Sequence, residues 1–499
     1  MILKGLLKLL LHSFSNSNNE QHDDQNRNEQ DHNQTEITLP HLLNEFSDCA
    51  DFIHHTYAAK RIDVLFFGHM IDETRLASEL MHYLHTNEDL YTLLQHSNFI
   101  RTNNSKETVE GILAGNAVML YGDMAYFIDV SSDISRAIDQ SETETVITGP
   151  HESFNEVAST NLSLIRRRVK SSHLKVVKLP VGEVTNSNIY VLYIKDLVNM
   201  ELVQLITKRI EKIEIDAVYD INMVIQYIDD DPYSIFPQFL TSERPDAIAS
   251  KLVAGRIVGM MDGSPSMFSA PTSFFEFFSS SDDYYQRWML GTATRLLRFI
   301  AFIITISFTS LYVSITTFQY EMIPENLLIT LAESRSRVPF PPVLEALLME
   351  TTIELLREAG ARLPTKIGQT IGIVGGIVIG QAAVSAGLTS NILIISVAAS
   401  AISSFVIPSY IMSASFRLIR FGLILLAGIW GNMGIAFGIS YIVIHLSGLT
   451  SLGTSYVTPI APYKPKDWLD VFIRAPFSMI RERPSQSKTP NKIRNRMRR

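Results

Sequence analysis

Four glycines recur at every fourth position inside a stretch without charged residues, between about residues 367 and 388: Gly368, Gly372, Gly376 and Gly380. The stretch is long enough to cross a bilayer as a helix, which takes about 20 apolar residues. Because lipid tails are as apolar as leucine, helices in a bilayer associate through small residues that let their backbones approach closely. The spacing therefore predicts a packing face, either between helices of one chain or at a seam between subunits. We predict that this chain works in a membrane.

The 499 residues divide into two unlike halves that meet near residue 290. Residues 39 to about 245 mix charges with periodic apolar positions, as α/β domains in water do, whereas residues 299–446 carry few charges. The formal net charge of −8 combines an acidic first half with a tail, residues 464–499, that is rich in Lys and Arg. A lone cysteine, Cys49, excludes an internal disulfide framework and is interpreted as structural.

Residues 1–38 predict a short amphipathic stretch followed by a disordered linker. Lys4 and Lys8 lie one helical turn apart among leucines, which fits either a short interfacial helix or a frayed terminus. The apolar run is too short and lacks the small-residue cleavage site of a signal peptide, so we expect no cleavage. Residues 15–36 are almost entirely polar and cannot bury enough surface to fold.

The soluble half predicts two α/β subdomains, residues 39–150 and 151–245, followed by a juxtamembrane segment over 246–298. The patterns predict strands over 62–67, 176–179, 189–194 and 256–261, helices over 72–83, 154–169, 198–211 and 246–254, and a hairpin turning at Gly122-Asp123. Arg166, Arg167 and Arg168 fan around their helix, which favours salt bridges within the domain over nucleic-acid binding.

None of the sequence patterns for catalysis or cofactor binding occurs. There is no phosphate-binding loop, dinucleotide fingerprint, zinc-protease motif or nucleophile elbow, so we expect neither an enzyme nor a cofactor. His54-His55 lacks companions at metal-ligand spacing and is interpreted as a solvated pair, without a metal.

The membrane half, residues 299–446, predicts four crossings, over 299–318, 367–388, 392–412 and 421–446. An even number places both chain ends on one side, and the basic tail, residues 447–499, assigns that side to the cytoplasm by the positive-inside rule. One conflict follows, because Arg417 and Arg420 between the last two spans would then lie on the outer side. Other ionisable residues are nearly absent from the spans, which disfavours a secondary transporter.

Two further small-residue faces lie in the last two spans. Ser396, Ser400 and Ser404 repeat every four residues, and Pro408 is expected to kink this span. Their hydroxyls either line a pore or bond to their own or a neighbouring helix. The fourth span carries a second glycine face with one polar neighbour, Asn432, and is predicted to pack closely through Gly431, Gly434 and Gly438.

Residues 343–359 predict an amphipathic helix at the outer surface, between the first two spans, with leucines alternating against glutamates. If several copies surrounded an axis, Glu350 and Glu354 would form acidic rings that concentrate cations. The alternative is a solvated acidic face partly paired with Arg357.

Short motifs spread over roughly residues 50–465 resemble one family. They include Gly149-Pro, Arg166-Arg-Arg, Arg244-Pro-Asp, Asp262-Gly-Ser-Pro, Val338-Pro-Phe-Pro, Leu356-Arg-Glu-Ala-Gly-Ala-Arg-Leu-Pro and Gly380-Gln-Ala-Ala-Val-Ser-Ala-Gly. Together they resemble the A subunit of GerA-type nutrient germinant receptors of spore-forming bacteria. The resemblance implies a multi-pass protein of the spore inner membrane that acts with a permease-like B subunit and a lipoprotein C subunit. It also implies a homo-oligomer forming a nutrient-gated cation channel. A non-conducting scaffold is the first alternative, and a secondary transporter the second.

Overall fold

The computed structural model describes residues 37–58, 60–85, 99–131, 141, 144, 148–363, 375–376 and 378–495. The predicted amphipathic stretch and linker, and two stripe glycines, Gly368 and Gly372, lie outside these residues.

The first α/β domain is a five-stranded antiparallel sheet with apolar clusters on both faces. Its spatial order is β1-β2-β4-β5-β3. The positive φ of Gly122, 60°, closes the β4–β5 hairpin, as the sequence predicts. Its elements are α1 (Leu39–Glu45), β1 (Phe52–Tyr57), β2 (Ile62–Phe67), α2 (Glu73–His85), β3 (Ile100–Thr102), α3 (Ser105–Leu113), β4 (Ala117–Tyr121) and β5 (Met124–Ile128).

The second α/β domain extends beyond its predicted end at residue 245. Two strands from the segment predicted as juxtamembrane, β9 and β10, enter its sheet, whose order is β6-β7-β9-β10-β8, and β9, which pairs with β7, is its central strand. The elements are α4 (Ala158–Arg168), β6 (Leu174–Val181), β7 (Ser187–Ile194), α5 (Met200–Glu211), α6 (Ile221–Ile228), β8 (Leu240–Ser242), α7 (Pro245–Val253), β9 (Ile257–Met261) and β10 (Met267–Ala270). A 3-10 turn (Phe274–Phe278) and α8 (Asp282–Tyr285) then lead into the helical half.

A buried ion pair joins the two α/β domains. Arg166 Nη2 donates to Asp51 Oδ1 at 2.7 Å, its Nε donates to the other carboxylate oxygen, and both side chains are almost fully buried. Cys49 lies beside this pair, buried and bonded to a backbone carbonyl, as a structural cysteine should be. The predicted salt bridge within the domain is present for Arg168, which binds Glu152. Arg166 differs from the prediction, because its partner Asp51 belongs to the first domain.

The helical half is a bundle that stands on the second domain. Its helices are α9 (Trp288–Thr317), α10 (Glu325–Arg335), α11 (Pro342–Ala361), α12 (Asn391–Phe405) and α13 (Tyr410–Gly448), and residues 378–385 are also helical. Among the described residues, α9 and α13 are long and apolar enough to cross a membrane, by length and composition. The predicted span 367–388 lies partly outside the description, so four crossings are not confirmed.

Helix α13 is a hairpin, which corrects the single crossing predicted over 421–446. Gly431 has non-helical dihedral angles (φ 61°, ψ −141°) and separates two arms, residues 410–430 and 432–448. A Cβ added to Gly438 would overlap the Leu423 side chain. In a straight helix these two residues would lie about 22 Å apart. The open ends of both arms meet the loop before β8, through Ser415 and His445.

Pro408 ends a helix instead of kinking one. Helix α12 stops at Phe405, and Pro408 lies in the turn before α13, so the predicted span over 392–412 is broken there. A proline removes a backbone donor and disfavours helix at the residue before it, which fits this boundary.

The C-terminal segment is folded onto the second domain and the base of α9. Strands β11 (Thr450–Ser451) and β12 (Thr454–Ser455) form a hairpin, and α14 (Trp468–Val471) follows. Ser451 Oγ donates to the Gln238 carbonyl at 2.7 Å, and Thr292 Oγ1 donates to the Arg474 carbonyl at 3.2 Å. The α/β domains and the C-terminal segment therefore lie at the same end of the bundle.

Candidate functional site

Helix α11 is amphipathic, but its acidic face points into the bundle. Leu344, Leu348 and Leu355 are 51%, 45% and 66% exposed, whereas Glu345 and Glu350 are 1% and 0% exposed. This corrects the predicted helix with a solvated acidic face at the outer surface. An outward apolar face is the arrangement expected where the surrounding solvent is lipid.

Glu350 forms a buried ion pair at the centre of the bundle. Its Oε2 lies 2.7 Å from Arg420 Nη2, and both side chains are fully buried. Its Oε1 accepts from the hydroxyls of Thr309, at 2.8 Å, and Ser400, at 3.2 Å. Ser400 in turn accepts from Arg420 Nη1 at 2.9 Å. Burying two charges is costly, and a close partner with satisfying hydroxyls offsets that cost.

A second charged layer lies one helical turn further along α11. Glu354 Oε1 accepts from Arg417 Nε at 2.9 Å, and its Oε2 lies 3.3 Å from Arg357 Nη1. Arg357 also donates to Ser404 Oγ at 3.0 Å, and Arg417 to Ser413 Oγ at 3.2 Å. The predicted pairing of the acidic face with Arg357 is confirmed for Glu354. We call these two layers the charge network: Glu350, Glu354, Arg357, Arg417 and Arg420.

The charge network corrects two expectations about the helical half. Arg417 and Arg420 do not lie in a loop on the outer side, because the first arm of α13 begins at Tyr410 and carries both into the bundle. Ionisable residues are also present between the helices, where the sequence predicts almost none. The sequence does contain a signal for this network. Glu350 and Glu354 are four residues apart and Arg417 and Arg420 three apart, so each pair lies on one face of its helix, and the two faces have opposite charge.

The serine face of α12 is buried within the single chain. Ser396 donates to the Ile392 carbonyl at 3.2 Å, while Ser400 and Ser404 bond to both their own helix and the charge network. Of the two hypotheses for this face, bonding to its own and neighbouring helices describes this structure. Ser396, Ser400 and Ser404 all lie between helices, with exposures of 6% or less.

The predicted glycine seams have different surroundings. A Cβ added to Gly434 would overlap the Leu426 carbonyl, so Gly434, like Gly438, packs the two arms of α13 together. Gly431 forms the turn between them. A Cβ on Gly380 would lie 3.9 Å from Ile394, and one on Gly376 would meet no atom of the described residues within 4 Å. Gly434 and Gly438 therefore pack the chain against itself, whereas Gly376 borders a cavity.

A cavity of about 1300 Å³ opens where the bundle meets the second domain and the C-terminal segment. Glu354, Arg417, Ser404 and Gly376 line its bundle side. On the domain side lies Glu276, which binds Lys251 and Arg256. Burial alone would raise the pKa of the Glu276 carboxyl, but these two cations outweigh it and lower the pKa.

The base of α9 is tied to the α/β region by a second group of charges. Asp283, on α8, is 3.2 Å from Arg295 Nε and 2.7 Å from Arg298 Nη1. The next residue, Tyr284, donates to Asp470 Oδ1 of the C-terminal segment at 2.7 Å, and burial raises the pKa of its hydroxyl. These contacts hold the base of α9 against α8, and α8 against the C-terminal segment.

Within the part of the chain that the structure describes, no group of three or more His, Cys, Asp or Glu side chains could hold a metal ion. His54 lies 2.8 Å from Asp63 instead, and His55 packs against the Phe66 ring.

Comparison with known proteins gives this architecture a family. The family model described as "Bacillus/Clostridium GerA spore germination protein" matches residues 40–486. The chain belongs to the GerA family. Its resemblance to the A subunits of GerA-type germinant receptors is thus confirmed.

Similar proteins align with this chain over most of their own length. Spore germination protein GerQA of Bacillus cereus is 41% identical, over 92% of this chain and 94% of its own. Spore germination protein A1 of Bacillus subtilis is 38% identical, over 86% and 89%. An uncharacterized membrane protein of Bacillus subtilis, YfkQ, is 36% identical over 80% and 78%. In a solved structure, the N-terminal domain of the A subunit of the Bacillus megaterium germinant receptor GerK3 is 21% identical. It covers 47% of this chain and 94% of its own, with a TM-score of 0.36.

Proposed function

We propose that this chain is the A subunit of a nutrient germinant receptor in the spore inner membrane, and that its oligomer forms or gates a cation pathway opened by nutrient. The apolar helices α9 and α13 and the outward leucines of α11 support membrane insertion. The α/β domains and the Lys- and Arg-rich C-terminal segment share one end of the bundle, which favours the cytoplasm for both.

The charge network is the observation that carries the proposal. Ionised side chains between membrane helices are expensive, and they commonly mark ion pathways or switches. Here Glu350 of α11 pairs with Arg420 of α13. Hydroxyls of Ser400 on α12 and Thr309 on α9 bond to Glu350, so four helices meet at this pair. A relative shift of these helices would separate the charges.

The gating step follows from the pairing. In the closed state Arg420 neutralises Glu350, so no acidic ring faces an open path. When the first arm of α13 moves away from α11, Glu350 loses Arg420 and Glu354 loses Arg417 but keeps Arg357. Ser400 then loses the guanidinium donor of Arg420. These groups would then line a hydrated path: Ser396, Ser400, Ser404, Glu350 and Glu354. The cavity beside Glu354 would be its cytoplasmic entrance.

Assembly and partners complete the proposal. The four-residue spacing of the glycine stripe suits contact with another helix, from a second copy or from the permease-like B subunit. The stripe Gly368, Gly372, Gly376 and Gly380 is accordingly proposed as a seam outside the single-chain bundle. A lipoprotein C subunit completes the receptor.

Two other functions each have an observation in their favour. Glu350 and Ser400 are satisfied inside one chain, which suits a non-conducting scaffold that transmits the nutrient signal. The buried carboxylates also suit a secondary transporter, which would show saturation by substrate and a coupled ion.

Current recording from planar bilayers tests the proposal. The purified chain is reconstituted with its B and C partners, and single-channel current is recorded with and without a nutrient mixture. We expect discrete cation-selective openings that need both nutrient and partners. Glu350→Gln should change open probability or selectivity, because it removes the charge that Arg420 neutralises.

Glu358→Gln is the matched control. Glu358 lies on the same helix in an exposed pair with Arg362 at 2.6 Å, so its loss should leave the current unchanged. Silence of the complete assembly, with oligomer and nutrient binding confirmed, would favour the scaffold. Equal effects of the two substitutions would remove the charge network from the gating step.

A further inference from the structure

Residues 457–468, which run from just after β12 to the first residue of α14, present large apolar side chains to the outside. Ile460, Tyr463 and Trp468 are 48%, 67% and 36% exposed, and the Tyr463 and Trp468 rings are in contact with centroids 5.7 Å apart. Exposed Lys464 and Lys466 lie between them. We call residues 457–468 the aromatic loop.

The aromatic loop is fixed at a defined level of the bundle. Trp468 packs on Phe472 with ring centroids 5.3 Å apart, and Phe472 packs on Phe299 of α9, also at 5.3 Å. Phe299 follows Arg298, the last charged residue before the apolar run of α9. Trp468 is therefore held at the boundary between the charged base of α9 and its apolar length.

The exposed apolar surface of α9 continues to this boundary. Leu296, Leu297, Ile300 and Ile303 are each about half exposed. If lipid covers this face, the same lipid surface reaches Trp468 and Tyr463. Tryptophan and tyrosine are enriched at this depth, because their rings are apolar at one end and polar at the other.

We propose that the aromatic loop docks on the anionic lipid surface of the cytoplasmic leaflet, and so holds the C-terminal segment against the membrane beside α9. Tyr463 and Trp468 would enter the headgroup layer, while Lys464 and Lys466 attract anionic headgroups. Lys464 has no ion-pair partner within the described ranges, whereas Lys466 shares a surface pair with Glu482 at 2.6 Å. This inference rests on the membrane placement proposed above.

Docking would couple lipid to the base of α9. The C-terminal segment bonds to α9 through Arg295, whose Nη1 donates to the Asp470 carbonyl, and to the preceding helix α8 through Tyr284, which donates to the Asp470 side chain. A lipid-bound aromatic loop would therefore limit how far the base of α9 can move.

Tryptophan fluorescence separates this inference from the membrane placement itself. The chain has 3 tryptophans: Trp288, Trp430 and Trp468. Trp430, beside the α13 turn and 56% exposed, reports on the membrane at the other end of the bundle. W288F/W430F leaves only Trp468, and W288F/W468F leaves only Trp430. Each variant of the full chain is reconstituted in vesicles of phosphatidylcholine, with or without phosphatidylglycerol, that contain lipids brominated near the headgroup.

We expect bromine to quench both tryptophans, and phosphatidylglycerol to increase the quenching of Trp468 alone. In anionic vesicles Lys464→Glu should shift the docked-to-undocked ratio of the loop by at least about five-fold, the effect of one lysine charge at such a surface. Lys492→Glu, the same charge change further along the C-terminal segment, should leave the quenching of Trp468 unchanged.

Each other outcome has one meaning. Quenching of Trp430 without Trp468 overturns the docking: sensitivity of Trp468 to aqueous iodide would show a loop in water, and protection from iodide a loop covered by protein. Trp468 quenching that is independent of phosphatidylglycerol and of Lys464 would overturn the role of anionic lipid. If neither tryptophan is quenched, the membrane placement fails as well.

Discussion

The α/β domains and the helical bundle have opposite distributions of polar and apolar side chains between surface and interior. In the α/β region the sheets cover apolar clusters, and most charged residues face outward. In the bundle, α11 turns its leucines outward and its glutamates inward. The spacing of charged residues along a helix therefore determines which residues share a face. The surrounding solvent, water or lipid, determines whether that face is buried.

Each region nevertheless contains a fully buried Arg–carboxylate pair. Asp51–Arg166 is bidentate, and the guanidinium lies over the Phe67 ring at 3.9 Å. Glu350–Arg420 relies on hydroxyls from two further helices. The first pair joins two α/β domains and suits a fixed joint. The second joins helices of the bundle and suits the switch proposed above.

The largest expected effect comes from breaking the pair in the bundle. Glu350→Ala leaves Arg420 buried without its partner and should lower the free energy of unfolding by about 3–5 kcal/mol. Replacing both partners, Glu350→Leu with Arg420→Met, should recover much of that loss, because neither residue then buries a charge. Thermal unfolding of the purified chain in detergent measures both.

The exposed pair on the same helix provides the control. Glu358→Ala removes a surface pair with Arg362 and should cost about 0.5 kcal/mol or less. If the Glu350 and Glu358 variants were equally stable, the buried position of the network would be wrong. If the double variant were stable but did not support germination, the pair would act in gating and not only in folding.

An intermediate effect is expected at the turn of α13. Gly434→Ala places a methyl group against the backbone carbonyl of Leu426, which cannot rotate away, so the arms must separate at a cost of about 1–3 kcal/mol. Gly422→Ala is the matched change on the first arm, where a Cβ meets no atom within 4 Å, and it should be neutral or slightly stabilising. Equal melting temperatures for the two variants would contradict the hairpin.

Local patterns were sufficient for most of the α/β region. The strand over residues 62–67, the hairpin at Gly122 and the helix closed by Gly255 follow from apolar spacing and turn chemistry, and all are present. The extent of the second domain could not be read in this way, because β9 joins β7 across more than 60 residues of chain. Long-range pairing leaves no local signature.

The bundle was predicted less well for a different reason. A long apolar stretch predicts helix but does not show where the helix reverses, so Gly431 was interpreted as one of several packing glycines. Arg417 and Arg420 interrupt the apolar stretch between two predicted spans, so the sequence places them in a loop. Only the facing carboxylates on α11 explain their burial, and a partner on a distant helix cannot be identified from one sequence.

The smallest expected effect is a pH dependence of the free energy of unfolding that arises in the α/β region. Asp229, at the end of α6, has its pKa raised to about 7, first by burial and then by the charge of Asp230, against the opposing effect of Arg209. Because the folded state keeps this proton more tightly than the unfolded chain, the resulting stability is complete below the ordinary pKa and is lost as pH rises through about 7. Between about pH 6 and pH 8, loss of the Asp229 proton should lower the free energy of unfolding by about 1 kcal/mol.

Asp229→Asn should remove this part of the slope when melting temperature is followed against pH. Some slope should remain, because burial also raises the pKa of Glu144 to about 7. Glu350→Gln should leave the same slope unchanged if lipid or detergent and Arg420 keep the charge network from titrating. If melting temperature followed pH in parallel for wild type and Asp229→Asn, Asp229 would be solvated. The α/β region would then bury less charge than the structure indicates, and its contrast with the bundle would be greater.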